Sequence, residues 1–174
     1  MGVGFVRGSG SHLYDSTNTE FLDFGSGIAV NCLGHSHPIL VKSLKEQSSI
    51  LWHTSNMYQI PGQEKLANRL RDLTFADSMF FTTSGAEAID CAIKMTRRYH
   101  HANGQSEKFR IITFKGSFHG RTLSTIAAGG SEKLTKGFGP KVDGFDVLPF
   151  FSNMKKVEDH ITTETAGIMI EPIQ

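Results

Sequence analysis

Hydrophobic and polar positions change period several times along this chain, and the changes divide it into elements. His12–Asp15 and residues 20–24 alternate polar and apolar around Ser16, Thr17, Asn18 and Thr19, which predicts a β-hairpin. Glycines at 25, 27 and 34 then break regular structure. Pro38 suits the first position of a helix running to Lys45, with Ile39, Leu40 and Leu44 on one face, and Pro61 opens another carrying Leu66, Leu70 and Leu73. Residues 79–83 are a short apolar, β-prone run. After them Ala88, Ile89, Ala92, Ile93, Thr96 and Tyr99 recur at helical spacing. Arg110–Phe114 reads as a buried strand, residues 146–150 and 166–171 as further strands, and residues 123–128 and 153–161 as helices. Strands alternating with helices predict an α/β sheet with right-handed crossovers. The stretch from Gly129-Gly130 to Gly137-Phe138-Gly139-Pro140 reads as a long connection, either plain surface loop or a segment near a site or a subunit contact.

Two loops carry the candidate chemistry. Ser84-Gly85-Ala86-Glu87 has the form of a capping box, with the Ser84 hydroxyl on the Glu87 N–H and the Glu87 carboxylate reaching back to the Ser84 N–H. Gly85 lets a ligand come close to the backbone, and the unpaired N–H groups at the positive end of the helix dipole favour a phosphate there. Most capping boxes bind nothing. The second loop, Ser117-Phe118-His119-Gly120-Arg121, changes the weighting, because in an open α/β sheet ligands sit beyond the carboxyl ends of the strands. Phe118 offers a flat face for an aromatic ring, His119 a ring nitrogen, Gly120 close backbone approach, and Arg121 a planar fork suited to a carboxylate. Alone, a Phe before a His is core packing and an Arg is a solvated charge; the pairing of the loops points to a site for a phosphorylated cofactor.

Composition narrows the classes. A length of 174 residues suits one domain with a real core. A net charge of +1 suggests neither a nucleic acid nor an anionic membrane as partner. Cys32 and Cys91 are too few for a disulfide framework and match no metal spacing, which fits a reducing compartment. His35-Ser36-His37 has no third ligand at suitable spacing, so no metal is expected and His37 reads as a capping or loop residue. Residues 1–10 hold no apolar signal core, Val6 stands where a myristoylation motif needs Ser or Thr, and no run is long enough to span a bilayer. A cytoplasmic protein is expected.

Thr83-Ser84-Gly85-Ala86-Glu87-Ala88, Ser117-Phe118-His119-Gly120-Arg121-Thr122 and Ile170-Glu171-Pro172-Ile173-Gln174 together resemble the class III pyridoxal-phosphate aminotransferases. Within that class, Ser26-Gly27-Ile28-Ala29-Val30, Leu33-Gly34-His35-Ser36-His37-Pro38, Leu51-Trp52-His53-Thr54-Ser55-Asn56 and Gly137-Phe138-Gly139-Pro140 are similar to acetylornithine aminotransferases. The resemblance implies the fold type I architecture: residues 1–45 as the N-terminal segment of the small domain, and residues 46–174 as the first part of the large domain and its sheet. It also implies a homodimer. Ser84 with the Gly85 and Ala86 backbone would hold the cofactor phosphate, Phe118 would stack on the pyridine ring, and His119 and Glu171 would lie at the cofactor. Arg121 would bind the α-carboxylate of the substrate. The reaction implied moves the terminal amino group of N-acetylornithine to 2-oxoglutarate through pyridoxal phosphate.

The family's Schiff-base lysine and the Asp that pairs with the pyridinium nitrogen come after the Glu-Pro-Ile-Gln motif. No lysine here, including Lys94 and Lys115, stands in that context, so no catalytic residue is assigned. On this reading the sequence is the N-terminal portion of a longer enzyme, and 174 residues alone would be inactive. Asp90 departs from the family, which usually has Glu there, and the usual lead-in before Val6-Arg7-Gly8 is missing. Alternatives stay open: an ornithine, succinylornithine or 4-aminobutyrate aminotransferase, an inactive fragment, or an unrelated α/β phosphate-binding module.

Overall fold

The computed structural model describes residues 2–150 and 154–174, and the chain falls into two units that meet in sequence at Asp77 and Ser78. The first unit begins with an antiparallel sheet of order β1-β2-β3, formed by Phe5–Ser9, His12–Asp15 and Glu20–Leu22. The hairpin is where the alternation puts it. Asp15 fixes its turn by accepting from the Thr17 and Thr19 N–H groups, both at 2.9 Å. β1 was not expected from the sequence: a glycine and two polar residues among Phe5-Val6-Arg7-Gly8-Ser9 hide its periodicity.

Next comes the one-turn α1, Ser26–Ala29, with φ of 49°, 65°, 63° and 60° along it. Left-handed backbone costs about 1–2 kcal/mol per non-glycine residue, so it persists only when pinned. Asp23 pins it, accepting from the Gly25 and Ser26 N–H groups at 2.9 Å, while its other oxygen lies 2.6 Å from His35 Nε2. These bonds hold the Asp23 carboxyl below the ordinary carboxylate range, with the His35 bond the largest cause. α2 covers Pro38–Ser48 and α3 covers Pro61–Leu73, each with proline in its first turn. His37 occupies the N-cap position of α2, yet its ring makes no capping bond and its buried Nδ1 has no partner.

The second unit holds the parallel sheet. Its helices and strands are α4 (Gly85–Ala102), β4 (Arg110–Phe114), α5 (Leu123–Gly129), α6 (Glu132–Thr135), β5 (Phe145–Leu148), α7 (Met154–Asp159) and β6 (Thr165–Ile168). The sheet order is β5-β4-β6, parallel on both sides of β4. As the central strand, β4 is buried on both faces. Ile112 and Phe114 pack with Leu148 and Val157, while Thr113 on the opposite face donates to the Ala128 carbonyl at 2.7 Å and ties α5 to the strand. Arg110 braces the start of the sheet through Asp146 on β5 at 2.7 Å and Asp143 at 3.2 Å.

Several boundaries differ from the sequence reading. Residues 79–83 form no strand, because Thr82 and Thr83 turn their polar groups to the α4 cap instead of a ladder. β5 starts one residue early and ends at Leu148. β6 ends at Ile168, leaving Glu171 on a loop past the sheet. The connection after Gly130 contains α6, and the described part of the helix expected over residues 153–161 is α7, with Asn153 outside the described residues. Among the described residues no helix is long and apolar enough to cross a membrane, and no group of three or more potential metal ligands forms.

Candidate functional site

The site grows from the start of α4. Ser84 is extended (φ −150°, ψ 162°), and its hydroxyl accepts from the Glu87 N–H at 3.3 Å. The reciprocal half of the box is displaced by one residue: the Glu87 carboxylate takes the Thr83 N–H at 2.7 Å, not that of Ser84. Ser84 thus satisfies the Glu87 N–H by its side chain and the Ala88 N–H by its carbonyl. The N–H groups of Gly85 and Ala86 have no acceptor within the helix. A Cβ built on Gly85 would find no atom within 4 Å, so the space above this first turn is open.

The second loop lies against this turn. Gly120 has φ 129°, and a Cβ there would sit 2.7 Å from Ala86 Cβ, 3.0 Å from Ala86 Cα and 2.9 Å from Thr125 Oγ1. Only glycine fits at that distance, and the contact brings the two sequence-identified loops together. From the end of β6, Glu171 Oε2 accepts from the Phe118 N–H at 2.9 Å, and Gln174 Nε2 donates to Ser117 Oγ at 3.1 Å. The start of α4, the loop after β4 and the segment after β6 therefore converge.

Phe118 is 58% exposed, with the Arg121 guanidinium carbon 4.8 Å from its ring centroid. His119 is 5% exposed, and its Nε2 is buried without a hydrogen-bond partner. Burial pushes its pKa below the ordinary imidazole value, and the Glu171 carboxylate opposes that less strongly. Burial thus favours the neutral ring.

Asp90 was noted in the sequence only as a departure from the family pattern. It sits on α4 and receives the Thr122 hydroxyl at 2.9 Å, together with a short hydrogen bond from the Ser124 hydroxyl. Thr122 is the N-cap of α5 but makes no side-chain cap bond to that helix. Its hydroxyl serves the strut to α4, which fixes the residue next to Arg121. The hydroxyls at 122 and 124 were the available signal; their partner six residues after Ser84 carries no spacing rule. Asp90→Ala should lower stability by about 1–2 kcal/mol, with Asp90→Asn costing less, as the loss of charge-assisted bonds implies. Denaturant midpoints check this, and an unchanged midpoint for Asp90→Ala would remove the strut.

A family model described as Aminotransferase class-III matches residues 1–174. The acetylornithine aminotransferase of Agrobacterium fabrum is 58% identical over 170 residues, covering 98% of this chain and 42% of that protein. Among solved structures, N-acetylornithine aminotransferase from Stenotrophomonas maltophilia matches with 37% identity and a TM-score of 0.79, over 99% of this chain and 42% of that one. Ornithine aminotransferase from Toxoplasma gondii reaches a TM-score of 0.92 at 22% identity, over 100% of this chain and 42% of that one, a likeness of fold alone. The chain spans less than half the length of these relatives.

Proposed function

This chain belongs to the class III aminotransferases, and from that premise we propose that its second unit supplies phosphate, ring and carboxylate contacts in an acetylornithine aminotransferase using pyridoxal phosphate. The observation that carries the reading is the seating of Gly120 on Ala86, which joins an open helix N-terminus to an exposed aromatic face and a cation.

The residues present fit the cofactor. Open space over Gly85 leaves room for a phosphate at the Gly85 and Ala86 N–H groups, and Ser84 borders the same turn. Arg121 covers one face of the Phe118 ring, leaving the other for a pyridine. The orphaned Nε2 of buried His119, the residue after Phe118, is a polar atom with an unmet bond. Glu171 holds the Phe118 backbone and so sets the height of the ring face. Arg121 is the fork for the α-carboxylate of the amino donor.

Pyridoxal phosphate, when bound, supplies the electron sink that allows an amino group to pass from a donor to an acceptor. In this reading the donor is N-acetylornithine, the acceptor is 2-oxoglutarate, and the work of this chain is to bind and orient. The 58% identity to an acetylornithine enzyme supports the acetylated donor over ornithine or 4-aminobutyrate. Residues 1–45 as the start of a small domain, residues 46–174 as the start of a large one, a homodimer, and a cytoplasmic location belong to the same proposal.

The direct test is Gly85→Val in the full-length protein. A side chain at 85 meets no protein atom within 4 Å, so the fold accepts it, while its branched Cβ fills the approach to the N–H groups. Cofactor affinity, titrated by absorbance, should fall by about tenfold or more, the scale of one lost charge-assisted contact. Unchanged affinity in a folded variant would take this turn out of the site.

A further inference from the structure

α4 ends in a cap built on the only Asn-Gly pair of the sequence. Asn103 follows the last helical residue, and Gly104 takes φ 74°. The Gly104 N–H donates to the His101 carbonyl at 3.2 Å and the Gln105 N–H to the His100 carbonyl at 2.9 Å, the paired bonds of a glycine-closed helix end. The Asn103 side chain completes it: Nδ2 donates to the Tyr99 carbonyl at 2.8 Å, which also takes the Asn103 N–H at 3.2 Å. Both residues are exposed, and a Cβ on Gly104 would meet no atom within 4 Å, so the turn is open to water.

We infer that Asn103-Gly104 is a deamidation site that this cap holds shut, and that the product cannot rebuild the cap. Gly104 has no side chain to hinder ring closure, so once the turn opens its backbone nitrogen can reach the Asn103 amide carbon. That nitrogen, its proton taken by base from the solvent, bonds to Asn103 Cγ; the Cγ–Nδ2 bond breaks, and Nδ2 leaves as ammonia with a proton from water. The five-membered imide then takes up one water and opens at either carbonyl, leaving aspartate or isoaspartate at 103. Nothing is oxidised or reduced. In the closed cap neither reacting group is free, since the Gly104 N–H is held by His101 and the Asn103 amide by Tyr99. At ψ 15° the Gly104 nitrogen also points away from the Asn103 side chain. Reaction therefore follows local opening of the last turn of α4. Asp143-Gly144, the matching acid pair, is guarded otherwise: the Gly144 N–H and Arg110 hold the Asp143 carboxyl below its ordinary range, and an ionised carboxylate resists this attack. A carboxylate at 103 has no N–H for the Tyr99 carbonyl and meets the negative end of the α4 dipole, while isoaspartate lengthens the backbone and shifts the cap out of register. His100 stands in the same turn, with Nδ1 3.0 Å from Gln105 Oε1 and Nε2 2.8 Å from the Ala166 carbonyl. A lost cap thus loosens the tie between α4 and β6, the strand that leads to Glu171.

The test follows the full-length protein, native and in denaturant, through a warm incubation at mildly alkaline pH. Trypsin cuts after Arg98 and Lys108, so the peptide from Tyr99 to Lys108 carries the pair, and conversion adds about one dalton to it. The unfolded chain should convert about tenfold or more faster than the native protein, the ratio being set by the free energy of opening the turn. Gln105→Pro removes the Gln105 N–H and leaves Asn103-Gly104 in place. In the folded variant the native rate should rise about threefold to tenfold, with the unfolded rate within about twofold of the wild type, the scale of one cap bond. Asn103→Asp, the product made directly, should speed amide hydrogen exchange at Gly104 and Gln105 about threefold to tenfold. An unfolded chain that gains no mass would remove the site. Equal native and unfolded rates, or a native rate unmoved by Gln105→Pro, would show that the cap is not the guard. Unchanged exchange in Asn103→Asp would show that the product fits the cap as well as asparagine does.

Discussion

Gly120→Ala is expected to be the most damaging single-methyl change at this site. The added Cβ would stand 2.7 Å from Ala86 Cβ and 2.9 Å from Thr125 Oγ1, and 3.0 Å from the backbone at Ala86 Cα. Side chains could turn aside, but the α4 backbone cannot, and Thr125 is 1% exposed with no room to retreat. Overpacking of this kind costs about 1–3 kcal/mol. The φ of 129° adds a further penalty of about 1–3 kcal/mol for any residue with a Cβ. Relief comes from separating the loop from α4, which also moves Phe118 and Arg121 away from the Gly85 and Ala86 N–H groups. The full-length variant should therefore lose roughly 2–5 kcal/mol of stability and most of its cofactor affinity together. Denaturant unfolding and a cofactor titration on the same preparation check both. Wild-type stability in Gly120→Ala would mean that the two loops are not in contact.

Comparing Gly120 with Gly85 shows which part of the site was readable in the sequence. Both glycines were singled out for close approach, but sequence cannot say what approaches. The structure separates them: protein fills the space at Gly120, and the space at Gly85 is open. The long elements were legible because their patterns have many repeats. α4 carries its apolar positions over five turns, and the burial of β4 is legible in Ile111, Ile112 and Phe114, with only Thr113 between them. Short or mixed segments were not. Residues 79–83 have strand propensity without a ladder, since propensity describes a fit to a pleated surface and not the presence of a partner strand. β1 is the reverse case: a poor pattern was recruited by a hairpin that offered a paired edge. Ile39, Leu40 and Leu44 do share a helix face, yet they are 68%, 53% and 71% exposed. Periodicity marks a face that favours cover and is silent on what covers it. Asp90 was illegible as a site residue, because its bonds to Thr122 and Ser124 cross 32 and 34 positions of sequence.

Arg121→Lys is the change expected to alter chemistry most while leaving the fold alone. Arg121 is exposed, so its replacement disturbs no core, and both side chains carry a positive charge at neutral pH. What differs is shape. The guanidinium, whose carbon lies 4.8 Å from the Phe118 centroid, is a planar fork able to give two parallel N–H bonds to one carboxylate; an ammonium offers a point charge on a flexible stem. For N-acetylornithine, kcat/KM should fall about tenfold to a hundredfold, the equivalent of roughly 1.4–2.8 kcal/mol of lost bidentate and orienting interaction. Cofactor affinity should change by no more than about threefold, because only the loss of cation–ring packing on the far face of Phe118 reaches the cofactor. 1,4-Diaminobutane is the decisive comparison, since it keeps the reacting amine and chain of ornithine but has no α-carboxylate for either side chain to hold. Its kcat/KM should be poor and nearly equal in the two proteins. A loss on 1,4-diaminobutane as large as that on N-acetylornithine would mean that Arg121 shapes the site through Phe118 and does not read the substrate, and the carboxylate contact would have to be sought elsewhere.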